Sequence, residues 1–158
     1  MTALTNTWNR ITGILSGTVI ESIVLFVTRV ALAGIFWRSY KQKIEDGTWF
    51  TPNDFQQVLF ENEFSGLPLP TDIAIPLTIY AEFLFPVLLV IGLASRFSAA
   101  ALAVMALVIQ LFIFPTSAHF FGWAVTVLAL ALIIISRGPG IFSLDAIIAR
   151  VAGQKAHG

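Results

Sequence analysis

From Ile20 to Tyr40 the chain runs almost unbroken in apolar residues, and Arg29 sits near the middle of the run. The run is about long enough to cross the hydrocarbon core of a bilayer. An unpaired guanidinium at that depth costs at least ~2.5–3.5 kcal/mol even on the lenient insertion scale. Arg29 must therefore face a partner or a wet cavity rather than lipid. A second apolar run, Ile73 to Ala94, carries one acid near its own centre, Glu82. Arg29 lies nine residues after Ile20, and Glu82 lies nine residues after Ile73. In antiparallel helices these offsets put both near the midplane, roughly 13 Å in at 1.5 Å per residue. A buried Arg29–Glu82 pair is expected, because pairing answers two desolvation problems at once. Such a pair is either a clasp that fixes two helices or the polar floor of a site.

Composition agrees with a membrane setting. Soluble domains carry roughly 25% charged residues, whereas this chain carries 11% and is 57% hydrophobic. Nine basic and nine acidic residues cancel, which gives no basic surface for nucleic acid. Cysteine is absent, excluding disulfides, thiolate metal sites and cysteine redox chemistry within the chain. An oxidoreductase role must then use a bound cofactor, a quinone or a partner's redox centre.

The expected architecture is a single all-α membrane domain, a four-helix bundle spanning at about 20–40, 73–94, 97–114 and 118–136. Interfacial amphipathic helices are expected at both ends and in the first loop, over about 4–15, 52–62 and 143–152. In the first, Leu4, Trp8, Ile11 and Leu15 line one helical face. It does not read as a secretory signal, because Arg29 interrupts the apolar run that follows. In the loop helix, Thr51-Pro52-Asn53-Asp54 reads as an N-cap with proline at N1 and an acid at N3. Phe55, Val58 and Leu59 follow at helical spacing. The loop is acidic, with Lys41 and Lys43 standing against Glu45, Asp46, Asp54, Glu61, Glu63 and Asp72.

Ser95-Arg96 is expected to join the second and third spans, and Pro86 interrupts the second span's hydrogen-bond ladder. Gly138-Pro139-Gly140 stops the fourth span. Ser143 then caps the last helix, with Asp145 in its first turn. Four spans put both termini on one side. That side holds Arg10, Arg96, Arg137, Arg150 and Lys155, against Arg38, Lys41 and Lys43 opposite. The excess favours cytoplasmic termini.

Among the remaining polar residues, Glu21 and Arg96 fall near the same interface and are expected to form a surface ion pair. His119, with Trp123 one turn along and Gln110 and Pro115 nearby, fits the rim of a pocket for an amphipathic ring such as a quinone. It fits equally an interfacial His–Trp belt. No metal-binding spacing is present, nor a phosphate loop or nucleophile elbow.

Five stretches together resemble the DoxX family of small four-helix bacterial membrane proteins: TRVALAGIFWRSYKQKI (28–44), FENEFSGLPLPTDIA (60–74), AEFLFPVLLVIGLASRFSAAAL (81–102), QLFIFPTSAHFFGW (110–123) and GPGIFSLD (138–145). The resemblance implies a bundle in the inner membrane. Its recurring positions are Arg29, Glu82, Arg96, the Pro115…His119…Trp123 group and the GPG–SLD ending. The family usually shows Ser-Gly before the lysine of the first-span motif, where this chain has Ser39-Tyr40. Relatives include subunits of quinone-linked oxidoreductases and membrane anchors of stress proteins. The leading expectation is therefore a membrane subunit, bearing no cofactor of its own, of a quinone-linked oxidoreductase or stress-response complex. Arg29, Glu82, Gln110, His119 and Trp123 would form its ligand site. The alternatives are a non-catalytic anchor or assembly factor that docks a protein partner through the acidic loop, and transport of a small solute by an oligomer.

Overall fold

A computed structural model describes residues 2–15 and 17–155, except the side chains of residues 2–4, 10, 11, 14, 15, 154 and 155. Leu4, Arg10, Ile11, Leu15, Lys155 and His157 thus fall outside the described side chains. Among the described residues seven helices follow in order: α1 Thr2–Leu15, α2 Thr18–Lys43, α3 Phe55–Asn62, α4 Thr71–Ile91, α5 Ser95–Ile113, α6 Ser117–Arg137 and α7 Leu144–Lys155. The fold is all-helical, and α2, α4, α5 and α6 are each long and apolar enough to cross a membrane.

The four long helices close a ring in which α2 packs on α4, α4 on α5, α5 on α6 and α6 on α2. Their large apolar side chains point outwards: Phe97 is 67% exposed, Phe121 73% and Leu132 61%. In water such a surface would aggregate; in lipid it is the solvated face. The inside is built from smaller groups. Ala99, Ala106, Ala124 and Ala131 of α5 and α6 are all fully buried, and small side chains let apolar helices approach closely without a hydrophobic drive between them. Leu32, Phe36, Leu89, Leu102, Val127 and Ile134 fill the rest of this layer. A second layer at the loop end gathers Tyr40, Ile44, Phe60, Ala74, Ile75 and Ile79. Tyr40 packs its ring against Phe83 and donates its hydroxyl to the Trp49 carbonyl at 2.6 Å.

The short loop helix departs from expectation. It begins at Phe55 rather than Pro52, because residues 51–53 are tied back to the end of α2. Glu45 N donates to the Thr51 carbonyl at 2.9 Å, Asn53 N donates to the Lys43 carbonyl at 3.0 Å, and Ile44 bridges to Pro52. The buried face of α3 is Gln56 and Phe60, whereas Phe55 and Val58 point outwards.

At the opposite end, the α4–α5 turn is the tight element. Gly92 takes φ +74 and Ala94 φ +48, with Ser95 already helical and buried. Asp145 fixes this turn: its carboxylate accepts from Ala94 N at 2.8 Å and Ser95 N at 2.9 Å, and its own N–H donates to the Gly92 carbonyl at 2.9 Å. The sequence places this acid in the first turn of its own helix; the structure shows its carboxylate capping α5 instead. Ser143 does serve α7, accepting from Ala146 N at 3.2 Å.

A methyl group at Gly92 would stand 2.5 Å from both Arg29 Nη1 and Ser143 Cβ, in a left-handed conformation that itself costs roughly 1–2 kcal/mol for an L side chain. With overpacking added, Gly92→Ala is expected to cost about 3 kcal/mol, read as a lowered unfolding midpoint in mixed detergent micelles. A midpoint equal to the parent's would show that the C-terminal strap is not seated on this turn.

Candidate functional site

Arg29 and Glu82 are both buried, at 0% and 1% exposure, but they do not meet. Arg29 Nη1 donates to the carbonyls of Leu89 at 2.8 Å and Val90 at 3.3 Å, and Nη2 donates to the Phe142 carbonyl at 2.5 Å. The guanidinium therefore caps the C-terminal end of α4, where unpaired carbonyls carry partial negative charge. It also straps the segment after α6 to the bundle. The expected Arg29–Glu82 pair is corrected for a reason of register. α2 continues past Tyr40 to Lys43, and this extra length sets Arg29 level with Leu89, seven residues beyond Glu82 and about 10 Å along the helix.

Glu82 instead meets Lys43. Lys43 Nζ lies 2.8 Å from Oε2 and 3.0 Å from Oε1, while Ser39 Oγ donates to Oε1 at 3.0 Å. Lys43 Nζ also donates to Ser39 Oγ at 2.6 Å. Ser39 and Lys43 are four apart and so share one face of α2. Proline at 86 has no N–H, which leaves the Glu82 carbonyl without its usual helical donor. The signal for this cluster in the sequence is the Ser-x-x-x-Lys spacing of Ser39 and Lys43 at the end of the first span.

This ion cluster forms the polar end of an open cavity of about 960 Å³ lined by all four long helices. Its apolar walls include Ile35, Leu77, Val104, Met105, Phe114 and Trp123, and Phe60 and Phe64 cover it from the loop. Arg38, Gln42, Thr78 and His119 complete its polar lining. Of the residues expected to form the site, Glu82, His119 and Trp123 line the cavity. Arg29 does not, and Gln110 stands behind His119.

His119 is held on three sides. Thr116 Oγ1 accepts from its backbone N–H at 3.2 Å, and Gln110 Oε1 meets Nδ1 at 2.7 Å. Its ring lies between those of Phe114 and Trp123, with centroids 5.0 and 5.3 Å away. The helices on either side are wound as π-turns, Ile109–Ile113 and Phe120–Ala124. Such wide turns are rare and occur frequently at functional sites.

The expected Glu21–Arg96 pair is also corrected. Glu21 meets Arg137 at 3.3 Å, because α2 packs beside α6, and the Arg96 guanidinium lies against Gly138 instead. The Glu21–Arg137 pair is largely exposed and contributes about 0–1 kcal/mol.

Against known proteins, the DoxX family model matches residues 24–115. An uncharacterized protein of Haemophilus influenzae is 29% identical over 141 residues, covering 86% of this chain and 90% of that one. No solved structure matches.

Proposed function

Because this chain belongs to the DoxX family and is a multi-pass membrane protein, we propose that it is the quinone-binding subunit of an inner-membrane oxidoreductase. The observation carrying this reading is the cavity itself. Its walls are apolar, and its buried polar groups gather towards the loop end. Ligand sites of this kind, mostly apolar with a few placed polar groups, commonly measure 300–1,000 Å³. A quinone ring with an isoprenoid tail fits that division, its tail against the lipid-facing helices and its ring oxygens towards Ser39, Glu82 and His119. When bound, the quinone supplies two-electron, two-proton chemistry that the chain's own side chains lack. The electrons would be exchanged with the redox centre of a partner protein, since this chain holds no cysteine with which to build one. With cytoplasmic termini, the polar end of the cavity faces the outer side of the membrane.

A short-chain azidoquinone applied to the protein in lipid nanodiscs is expected to label residues around Phe114 and Trp123. Trp123→Ala is expected to weaken quinone binding about tenfold, as loss of a stacking contact and part of the cavity wall does. Labelling confined to the outer, lipid-facing surface, or affinity unchanged in Trp123→Ala, would remove this reading.

A further inference from the structure

The hydrogen-bonding groups around the cavity are unevenly available. Lys43 directs its three N–H bonds to Ser39 Oγ and to both oxygens of Glu82, and Ser39 directs its hydroxyl to Glu82. The buried donors are thus consumed within their own cluster. The donors left are on Arg38 and Gln42, exposed residues of α2, and on the hydroxyl of Thr78, a half-buried residue of α4.

His119 adds an acceptor. Gln110 Nε2 donates to the Thr116 carbonyl at 3.2 Å, so its Oε1 is the atom that faces the imidazole at 2.7 Å. A carbonyl oxygen can only accept, which puts the proton on Nδ1. In the neutral ring Nε2 then carries a lone pair. Contact with the tilted rings of Phe114 and Trp123 opposes a ring flip that would exchange the two nitrogens. Among the described residues Nε2 has no hydrogen-bond partner, and His119 lines the cavity.

Resting on the quinone-site reading above, we propose that the cavity selects the reduced ring, a hydroquinone, whose hydroxyl donates to His119 Nε2, and that Gln110 is the positioning residue that fixes this tautomer. A quinone carbonyl brought to the same place sets lone pair against lone pair, whereas a hydroxyl completes a hydrogen bond. No bond is made or broken in this recognition. One hydrogen bond of ordinary worth corresponds to about a tenfold difference in affinity.

The test uses the full chain in nanodiscs, ¹⁵N-labelled at histidine and carrying His157→Gln so that one histidine remains. Nitrogen NMR at neutral pH is expected to give a pyridine-type Nε2 and a pyrrole-type Nδ1. In parallel, a decyl-chain benzoquinol kept reduced under anaerobic conditions is expected to bind about tenfold more tightly than its benzoquinone. Gln110→Met releases the ring to protonate Nε2 and should bring that ratio towards one. Gln110→Glu keeps an acceptor beside Nδ1 and should preserve it. A pyrrole-type Nε2 in the parent, or equal affinity for the two forms, overturns this inference and leaves the quinone site standing. Binding of neither form overturns both.

Discussion

Replacing Lys43 with methionine is expected to destabilise the bundle by about 3–5 kcal/mol, the cost of leaving one member of a buried ion pair alone. Glu82 is 1% exposed, and without Lys43 it retains only the Ser39 hydroxyl at 3.0 Å. No other cation is within ion-pair distance of it among the described residues. Combining Lys43→Met with Glu82→Gln should recover most of the loss, since the pair as a whole contributes far less than breaking it costs. The measurement is a double-mutant cycle of unfolding in mixed micelles. An additive cycle would mean that the ammonium and the carboxylate do not hold each other.

Arg29→Met is expected to cost about 3 kcal/mol by a different route. The guanidinium is a charged donor to three carbonyls on two segments, and charge-assisted hydrogen bonds contribute about 1.5–3 kcal/mol each, offset in part by the relief of burying a charge. Its loss should free the strap that follows α6. Hydrogen exchange at the amides of Ala94, Ser95 and Asp145, all held by that strap, should accelerate. Arg29→Lys should restore only part of the stability, because an ammonium lacks the planar fork that reaches carbonyls in two directions. Combining Arg29→Met with Glu82→Gln supplies a sharp comparison. The two side chains share no partner, so their effects should add within about 0.5 kcal/mol. Strong coupling between them would restore the direct pair that their sequence offsets predicted. Unchanged exchange at Asp145 in Arg29→Met would show that the strap is held by something else.

Much of the bundle was legible because lipid permits so few solutions. A backbone crossing hydrocarbon must satisfy its own hydrogen bonds, so four long apolar runs became four helices. The same rule required that neither Arg29 nor Glu82 face lipid, and both are buried. His119, Trp123 and Gln110 could be grouped because consecutive turns of one short stretch bring them together; Phe114, which also meets the His119 ring, was not part of that grouping. Asp145 was harder to read. An acid in the first turn of a helix ordinarily serves that helix, and nothing local shows that the α4–α5 turn lies within reach of its carboxylate.

By itself the sequence determined the helical class, the four apolar spans, and the requirement that the two mid-span charges be sheltered. It also marked His119 and Trp123 as neighbours. Only the tertiary structure decided which groups shelter those charges. That choice depends on how far α2 runs past Tyr40 and how α2 slides along α4, and a shift of two turns exchanges every partner while leaving the hydrophobic pattern intact. The same register brings Lys43 and Ser39 to Glu82 at the polar end of the cavity and gives Arg29 to backbone carbonyls outside it.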